Sequence, residues 1–303
     1  NKPFHLLILR KMKKLFFILI ILSCCYCYCL SLNNNSSCSS GSKPLLLPSI
    51  RNRSTTIGVT PINIISYSQP GQQQNAYRFL NLHQNENTSV VAAKNLIYMK
   101  GGGSIVYLDK SINSANGWPT RRILFSLESS SVQYSIDPNR MFTKEGIKKD
   151  IQPTFSQLAS DAIEQFASEL LDEYGFNQTN LVIALHNNGP GYSAASYLDG
   201  GPFAKDAQKV SIGTAFDARD FFYVVPSSIG NYLYDCLTSQ GFNAVLQADV
   251  NSTLTNDGSL SYYAALKNKP YINVEAAAAC CSSGQRELNQ LINLDHLTDY
   301  LLA

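Results

Sequence analysis

Leu181-Val182-Ile183-Ala184-Leu185-His186-Asn187-Asn188-Gly189 runs from five apolar residues into a histidine, two amides and a glycine. Five unbroken apolar residues closed by polar ones read as a short buried strand that ends at a loop. Working outward, similar β-branched or aromatic runs at 77–82, 104–108, 122–127, 221–225, 244–247 and 271–274 predict further strands. Helical patterns lie between and around them at 89–99, 229–238 and 285–302. The recurrence of Phe155, Leu158, Ala162, Phe166, Leu170 and Tyr174 predicts one more helix. Strands that alternate with helices predict an α/β domain, its mixed, mostly parallel sheet covered by helices on both faces. The chain shows no internal repeat, and its 303 residues suffice for one sizeable core.

In open α/β sheets ligands collect beyond the carboxyl ends of the strands. Three polar sites stand there: His83-Gln84-Asn85-Glu86 after 77–82, His186 after 181–185, and Glu275 after 271–274. A His and a Glu three residues apart on a turn face the same way and can grip one metal ion. A second His from a neighbouring strand end supplies a third ligand. Two His and one carboxylate leave a coordination position open, which suits catalytic rather than structural zinc. His83, Glu86 and His186 are therefore the expected metal ligands, with Zn2+ as the cofactor. The remaining histidine of the domain, His296, falls in a presumed C-terminal helix and is expected to be exposed or capping.

His83-x-x-Glu86, Asp137-Pro138-Asn139-Arg140, His186 and Glu275, in that order, resemble the zinc carboxypeptidase family. The resemblance is confined to these patches between roughly residues 77 and 290. It implies a single zinc carboxypeptidase-like domain in which Glu275 is the general base toward a zinc-activated water. It also implies that Asn139 and Arg140 hold a substrate carboxylate, since a guanidinium can form two parallel hydrogen bonds to one. Asp137 would accept a hydrogen bond from the ring of His83 and so fix it. Arg122, or its neighbour Arg121, would polarise the scissile carbonyl. Gln84 and Asn85 stand where the family has an arginine, and Tyr192, Tyr197, Tyr262 and Tyr263 are all candidates for its site-closing tyrosine.

Residues 1–31 read as an upstream extension followed by a signal peptide or an uncleaved signal anchor: Arg10, Lys11, Lys13 and Lys14 precede an apolar run beginning at Leu15. Residues 32–56, rich in Asn, Ser and Pro, read as a flexible spacer, leaving 57–303 as the hydrolase-like domain. Five basic residues and no acid lie in 1–31, so the remainder carries 19 Lys and Arg against 22 Asp and Glu, a net charge of −3. That balance, with no basic patch, excludes nucleic acid as a partner, and a membrane would be met only through an uncleaved leader. A secreted chain suits sequons at Asn34, Asn35, Asn52, Asn87, Asn177 and Asn251, and a disulfide from Cys236 to Cys280 or Cys281.

Together these features predict a secreted zinc hydrolase of amide or peptide bonds. Its substrate would be a peptide or N-acyl amino acid with a free carboxylate. A zinc amidase or deacylase acting on cell-wall peptide or an N-acyl amino acid shares the same ligand logic. A secreted glycoprotein that keeps the fold without turnover is a further alternative. A serine hydrolase is suggested only by Gly191-Tyr192-Ser193-Ala194-Ala195, a near miss of G-x-S-x-G.

Overall fold

A hairpin of β1 (Ser49–Ile57) and β2 (Thr60–Gln69) opens the part of the chain that the computed structural model describes, namely residues 47–70, 77–109, 121–128, 130–189, 192–213, 221–249, 256–277, 291 and 294–298. Ile57 pairs with Thr60 across the turn at Gly58-Val59. Gly58 has φ of 60°, and a Cβ there would lie 2.3 Å from the carbonyl oxygen of Ser126, so both the backbone angle and the space require glycine. The hairpin moves the expected edge of the domain. Residues 49–56 are strand rather than spacer, held by backbone pairing to β2 and by the Arg53 to Glu169 ion pair at 3.4 Å rather than by burial. The leader, most of the spacer, and Cys280 and Cys281, the expected disulfide partners of Cys236, lie outside the described residues. Among those described, no helix is long and apolar enough to cross a membrane.

The chain continues through β3 (Arg78–Asn81), α1 (Asn87–Lys100), β4 (Gly103–Leu108), β5 (Ile123–Ser126) and β6 (Gln133–Ile136). Next come α2 (Lys144–Asp150), α3 (Gln157–Tyr174), β7 (Val182–Asn188), β8 (Ala207–Ser211) and β9 (Phe221–Pro226). It closes with α4 (Ser227–Ser239), β10 (Ala244–Gln247), α5 (Leu260–Leu266) and β11 (Tyr271–Ala277). Nine strands form one mixed sheet in the order β1-β2-β4-β3-β7-β11-β9-β10-β8, while β5 and β6 pair separately. The middle of the sheet, β4-β3-β7-β11, is parallel. The flanks carry the antiparallel pairs β1/β2, β2/β4, β11/β9 and β10/β8, with β9/β10 parallel between them.

Side chains alternate across the sheet, so its central strands feed two cores. Ile62, Ile64, Leu80, Val106, Val182 and Ala184 join one, beneath Ile147 of α2, the inner face of α3 and Leu260 and Ala264 of α5. Phe79, Ile105, Ile183, Leu185, Tyr223, Leu246, Ile272 and Val274 join the other, beneath α1, α4 and the helical residues 294–298. The buried stripe of α3 is Ala159, Ile163, Phe166, Leu170 and Tyr174. Phe155 precedes the helix and Leu158 is 64% exposed, so the apolar stripe starts later than its sequence spacing suggests. Beta7 and β11 also run further than their apolar stretches, which brings His186 and Glu275 inside strands rather than into the loops after them.

Candidate metal centre

His83 lies two residues beyond β3, Glu86 at the N-terminal boundary of α1, and His186 near the end of β7, the strand next to β3. A buried polar network sets their positions. Asn81 Nδ2 donates to Ser89 Oγ at 2.8 Å and to the Leu185 carbonyl at 3.2 Å, and Ser89 Oγ donates to the Glu86 carbonyl at 2.7 Å. Glu86 occupies the helix-capping position, yet its carboxylate caps nothing. The Ser89 amide donates instead to Asn187 Oδ1 at 3.0 Å, which ties α1 to the residue after His186 and leaves the Glu86 carboxylate for the histidines.

His83 Nδ1 is 2.8 Å from Glu86 Oε1 and 3.2 Å from His186 Nδ1, and His186 Nδ1 is 3.2 Å from Glu86 Oε2. All three residues are buried. On the other side of the ring, His83 Nε2 meets Asp137 Oδ1 at 2.8 Å. Asp137 accepts from the Asn139 amide at 2.8 Å and from Arg121 Nε at 2.9 Å. Burial works to raise the Asp137 pKa, but the bond to His83, that ring's charge and Arg121 outweigh it and hold the carboxyl well below the usual range. Asp137 is thus an acceptor, so His83 carries a proton on Nε2, and in the neutral ring its Nδ1 lone pair faces the cluster.

Those facts test the fit of a cation. Two ring nitrogens and a carboxylate converge, and Glu86 Oε2 makes no hydrogen bond despite its closeness to His186. A proton on His83 Nδ1 answers only one of the contacts, whereas a divalent ion answers all three. Ligand atoms around a tetrahedral zinc with bonds of about 2.0–2.1 Å sit roughly 3.3 Å apart, close to the spacing seen here. Burial opposes charge on Glu86, yet His83 and His186 hold its pKa down at about 2, so the carboxylate is ionised and ready as a ligand. The donor set fits zinc.

Glu275 stands on β11 directly across from His186 on β7. It is buried, and Asn273 Nδ2 donates to its Oε1 at 2.8 Å. Burial lifts its pKa, with Glu86 adding to the rise and His186 opposing it. The space before it is a cleft of about 490 Å³ lined by Arg121, Asn139, Arg140, Tyr192, Tyr197 and Asp257, among others.

Of the two candidate arginines, the structure brings Arg121 to the site and turns Arg122 away. Besides Asp137, Arg121 reaches Glu86 Oε1 at 3.3 Å. Arg122 Nε donates to Ser135 Oγ at 3.0 Å and its Nη1 to Asp150 Oδ1 at 3.1 Å. It faces the other side because adjacent residues entering a strand point to opposite sides. Arg122 braces Asp150, whose Oδ2 accepts from the Asp137 amide at 2.8 Å, so its effect on the centre runs through the backbone of Asp137.

Asn139 and Arg140 form a short 3-10 turn after β6. Asn139 Oδ1 accepts from the Leu260 amide at 2.9 Å, which fixes its side chain with Nδ2 as the remaining donor. Arg140 Nη1 donates to the Asn139 carbonyl at 2.7 Å and pairs with Asp257 at 3.4 Å. Gly258 has φ of 75° and lies where a Cβ would meet the Arg140 carbonyl oxygen at 2.4 Å, so glycine is what allows the 256–259 segment to sit against Arg140.

Among the four tyrosines, Tyr192 and Tyr197 line the cleft, their hydroxyls in contact and their rings packed with Phe203 and Phe222. Tyr263 packs on Phe142 and Phe176, and Tyr262 is buried. Ser193 is buried at the start of the short 3-10 helix Ala194–Tyr197, its amide bonded to Ser196 Oγ at 3.2 Å, while Gly191 of the G-x-S-x-G near miss lies outside the described residues. His296 is exposed, as expected. Sequence reasoning did not reach Asn273, Gln247 and Asp257, which the fold adds to the cleft.

No protein-family model matches this chain, and no curated protein matches it. Solved structures similar to it include the murein-tripeptide amidase MpaA from Escherichia coli O157, at 14% identity over 85% of this chain and 93% of that chain, with a TM-score of 0.44. The succinylglutamate desuccinylase from Chromobacterium violaceum is similar at 14% identity, covering 80% of this chain and 70% of that chain, with a TM-score of 0.41. A metallo-carboxypeptidase from Burkholderia cenocepacia is similar at 9% identity over 85% of this chain and 65% of that chain, with a TM-score of 0.42.

Proposed function

We propose that this chain is a secreted zinc-dependent hydrolase that cleaves amide or peptide bonds in the manner of a carboxypeptidase. Its substrate is a peptide or N-acyl amino acid with a free carboxylate. The observation that carries the reading is a joint placement. His83, Glu86 and His186 converge at one point, with Glu275 on the neighbouring strand in register with His186, at a cleft edged by Arg121, Asn139 and Arg140.

His83 through Nδ1, Glu86 through its carboxylate and His186 through Nδ1 would hold the zinc. Zinc bound there supplies Lewis acidity, polarising a carbonyl and lowering the pKa of water. Glu275 takes the proton from the attacking water and passes it to the leaving nitrogen. The upward push on its pKa suits both halves of that task, because a base poised nearer neutrality accepts and returns a proton readily. Asp137 keeps the proton of His83 on Nε2 and so keeps Nδ1 turned to the metal position. Arg121 offers positive charge where the carbonyl oxygen gains negative charge. Asn139 Nδ2 and the Arg140 guanidinium receive the substrate carboxylate, with Asp257 holding the guanidinium in place until it arrives.

The test is turnover of a panel of C-terminal peptides and N-acyl amino acids by the purified protein, before and after chelation and after zinc is restored. Hydrolysis that disappears with the metal and returns with it supports the reading. Hydrolysis indifferent to chelation overturns it, and the ranking of the panel separates peptidase from deacylase.

A further inference from the structure

The cleft extends away from the metal position across three strands, and alternation defines its floor. On β11, Glu275 and Asn273 share one face, opposite Phe222 and Val224 of β9. On β10, Val245 is opposite Val224, and Gln247, two residues on, lies on the same face. Phe222, Val224 and Val245 pack there with Tyr192 and Tyr197 as a small apolar cluster. The far end of the cleft is therefore an apolar floor with Asn273 on one side and Gln247 two strands away and two residues further along, roughly 12 Å from backbone to backbone.

Two polar atoms in this region have no partner among the described residues, Asn273 Oδ1 and Gln247 Oε1. Both are shielded, both belong to residues lining the cleft, and both are acceptors. The orientation of the Asn273 amide is set by chemistry: its Nδ2 donates to the Glu275 carboxylate, which leaves the oxygen as the acceptor still to be answered. At the metal end the polarity reverses, where Asn188 Nδ2, on the same face of β7 as His186 and without a partner among the described residues, is a donor. A substrate carbonyl suits the donor end, and a group rich in N–H suits the acceptor end.

We propose that the far end of the cleft is a specificity subsite that selects a substrate side chain ending in an N–H donor, a carboxamide or an ammonium, with Gln247 and Asn273 as its acceptors. This rests on the hydrolase reading for the direction in which substrate lies, but its test reads binding and does not need turnover. The Val224 floor accepts the methylene stem while the terminal nitrogen meets one or other of the two acceptors. A side chain that only accepts, such as a glutamate carboxylate, meets like polarity. An apolar one leaves both acceptors unanswered.

The experiment is calorimetric titration of the zinc-loaded full chain with N-acetyl-glutamine, N-acetyl-lysine, N-acetyl-methionine and N-acetyl-glutamate. At least one of the two donor-bearing ligands is expected to bind about tenfold more tightly than both of the others, and comparison of those two assigns carboxamide or ammonium. In Gln247→Met, which keeps length and removes the acceptor, that ratio should fall towards one. Gln247→Glu serves if the Met variant does not fold, and it should shift preference towards the lysine ligand. Equal binding of all four, tighter binding of the methionine or glutamate ligand, no binding of any, or an unchanged ratio in the Gln247 variants overturns the subsite. Preferential binding with no metal-dependent hydrolysis of any peptide or N-acyl amino acid in the panel would sink the hydrolase reading and leave the subsite standing. Hydrolysis without preference would do the reverse.

Discussion

The two faces of β7 and β11 differ in almost every respect although they share the same residues' backbone. On one face stand His186, Asn188, Asn273 and Glu275, lining the cleft; on the other, Ile183, Leu185, Ile272 and Val274 are packed under α1 and α4. A strand turns consecutive side chains to opposite sides, so a single sequence stretch serves chemistry and stability at once. What separates the two roles is position along the strand. The apolar face is filled along its length, while the polar residues gather at the carboxyl ends of the parallel strands, where the cleft opens.

The strongest way to break this division is to alter the proposed base alone. Glu275→Gln keeps size and removes the proton acceptor, so kcat is expected to fall by about 10²–10⁴ while zinc content and melting temperature stay nearly unchanged. Turnover at the wild-type rate would remove Glu275 from the mechanism, and loss of zinc or of folding would make it a ligand or a structural partner.

The opposite face should behave in the inverse way. Leu246→Ala on β10 removes a fully buried side chain from the apolar core and should cost about 2–5 kcal/mol of stability. Denaturation monitored with urea reads that loss, and zinc per folded chain should not change. A variant that keeps its stability would show that this face is not the packed one.

Within the polar face, Arg140→Ala should raise KM for substrates with a free carboxylate far more than for their amides, by the loss of a charge-assisted interaction worth roughly 1.5–3 kcal/mol. Equal effects on acid and amide would make Arg140 structural. Arg140→Lys should rescue only in part, because an ammonium lacks the planar fork.

The smallest effect is one of pH on the metal-free protein. Glu86 and Asp137 are held below their ordinary values, so their contribution is present above those values and is lost as pH falls, for Glu86 through about 2. Burial alone would lower the His83 pKa, but Glu86 and Asp137 raise it above its ordinary 6.5. Its contribution is therefore full below 6.5 and is lost as pH rises through the raised value. Zinc takes the place of that proton, so its binding strengthens with pH. Melting temperature between pH 6 and pH 8.5 should drop for the chelated protein and hold for the zinc-loaded one. The same slope for both forms would place the metal elsewhere.

The sequence made the donor set readable because His83, Glu86 and His186 combine residue type with a turn spacing and a strand end. Glu275 was readable because a carboxylate closing an apolar stretch has few ordinary reasons to be there. The choice between Arg121 and Arg122 was not readable, since it depends on which side of β5 the chain presents at its entry, a matter of one residue. Beta1 escaped notice because its residues are polar and it is held by pairing. Beta2 was not predicted either, although Ile62 and Ile64 carry a period of two. Gln247 and Asn273 could not be found from sequence at all: an amide acquires meaning only when packing leaves one of its atoms unanswered.

The measurement that bears most directly on the central claim is zinc per folded chain, determined by elemental analysis for the wild-type protein and for His186→Ala purified in parallel. A site with three protein ligands cannot easily spare one. The account predicts about one zinc per wild-type chain and almost none in the variant, with the variant still folded. A full complement of zinc in His186→Ala, or a folded and active wild-type protein without metal, would contradict it.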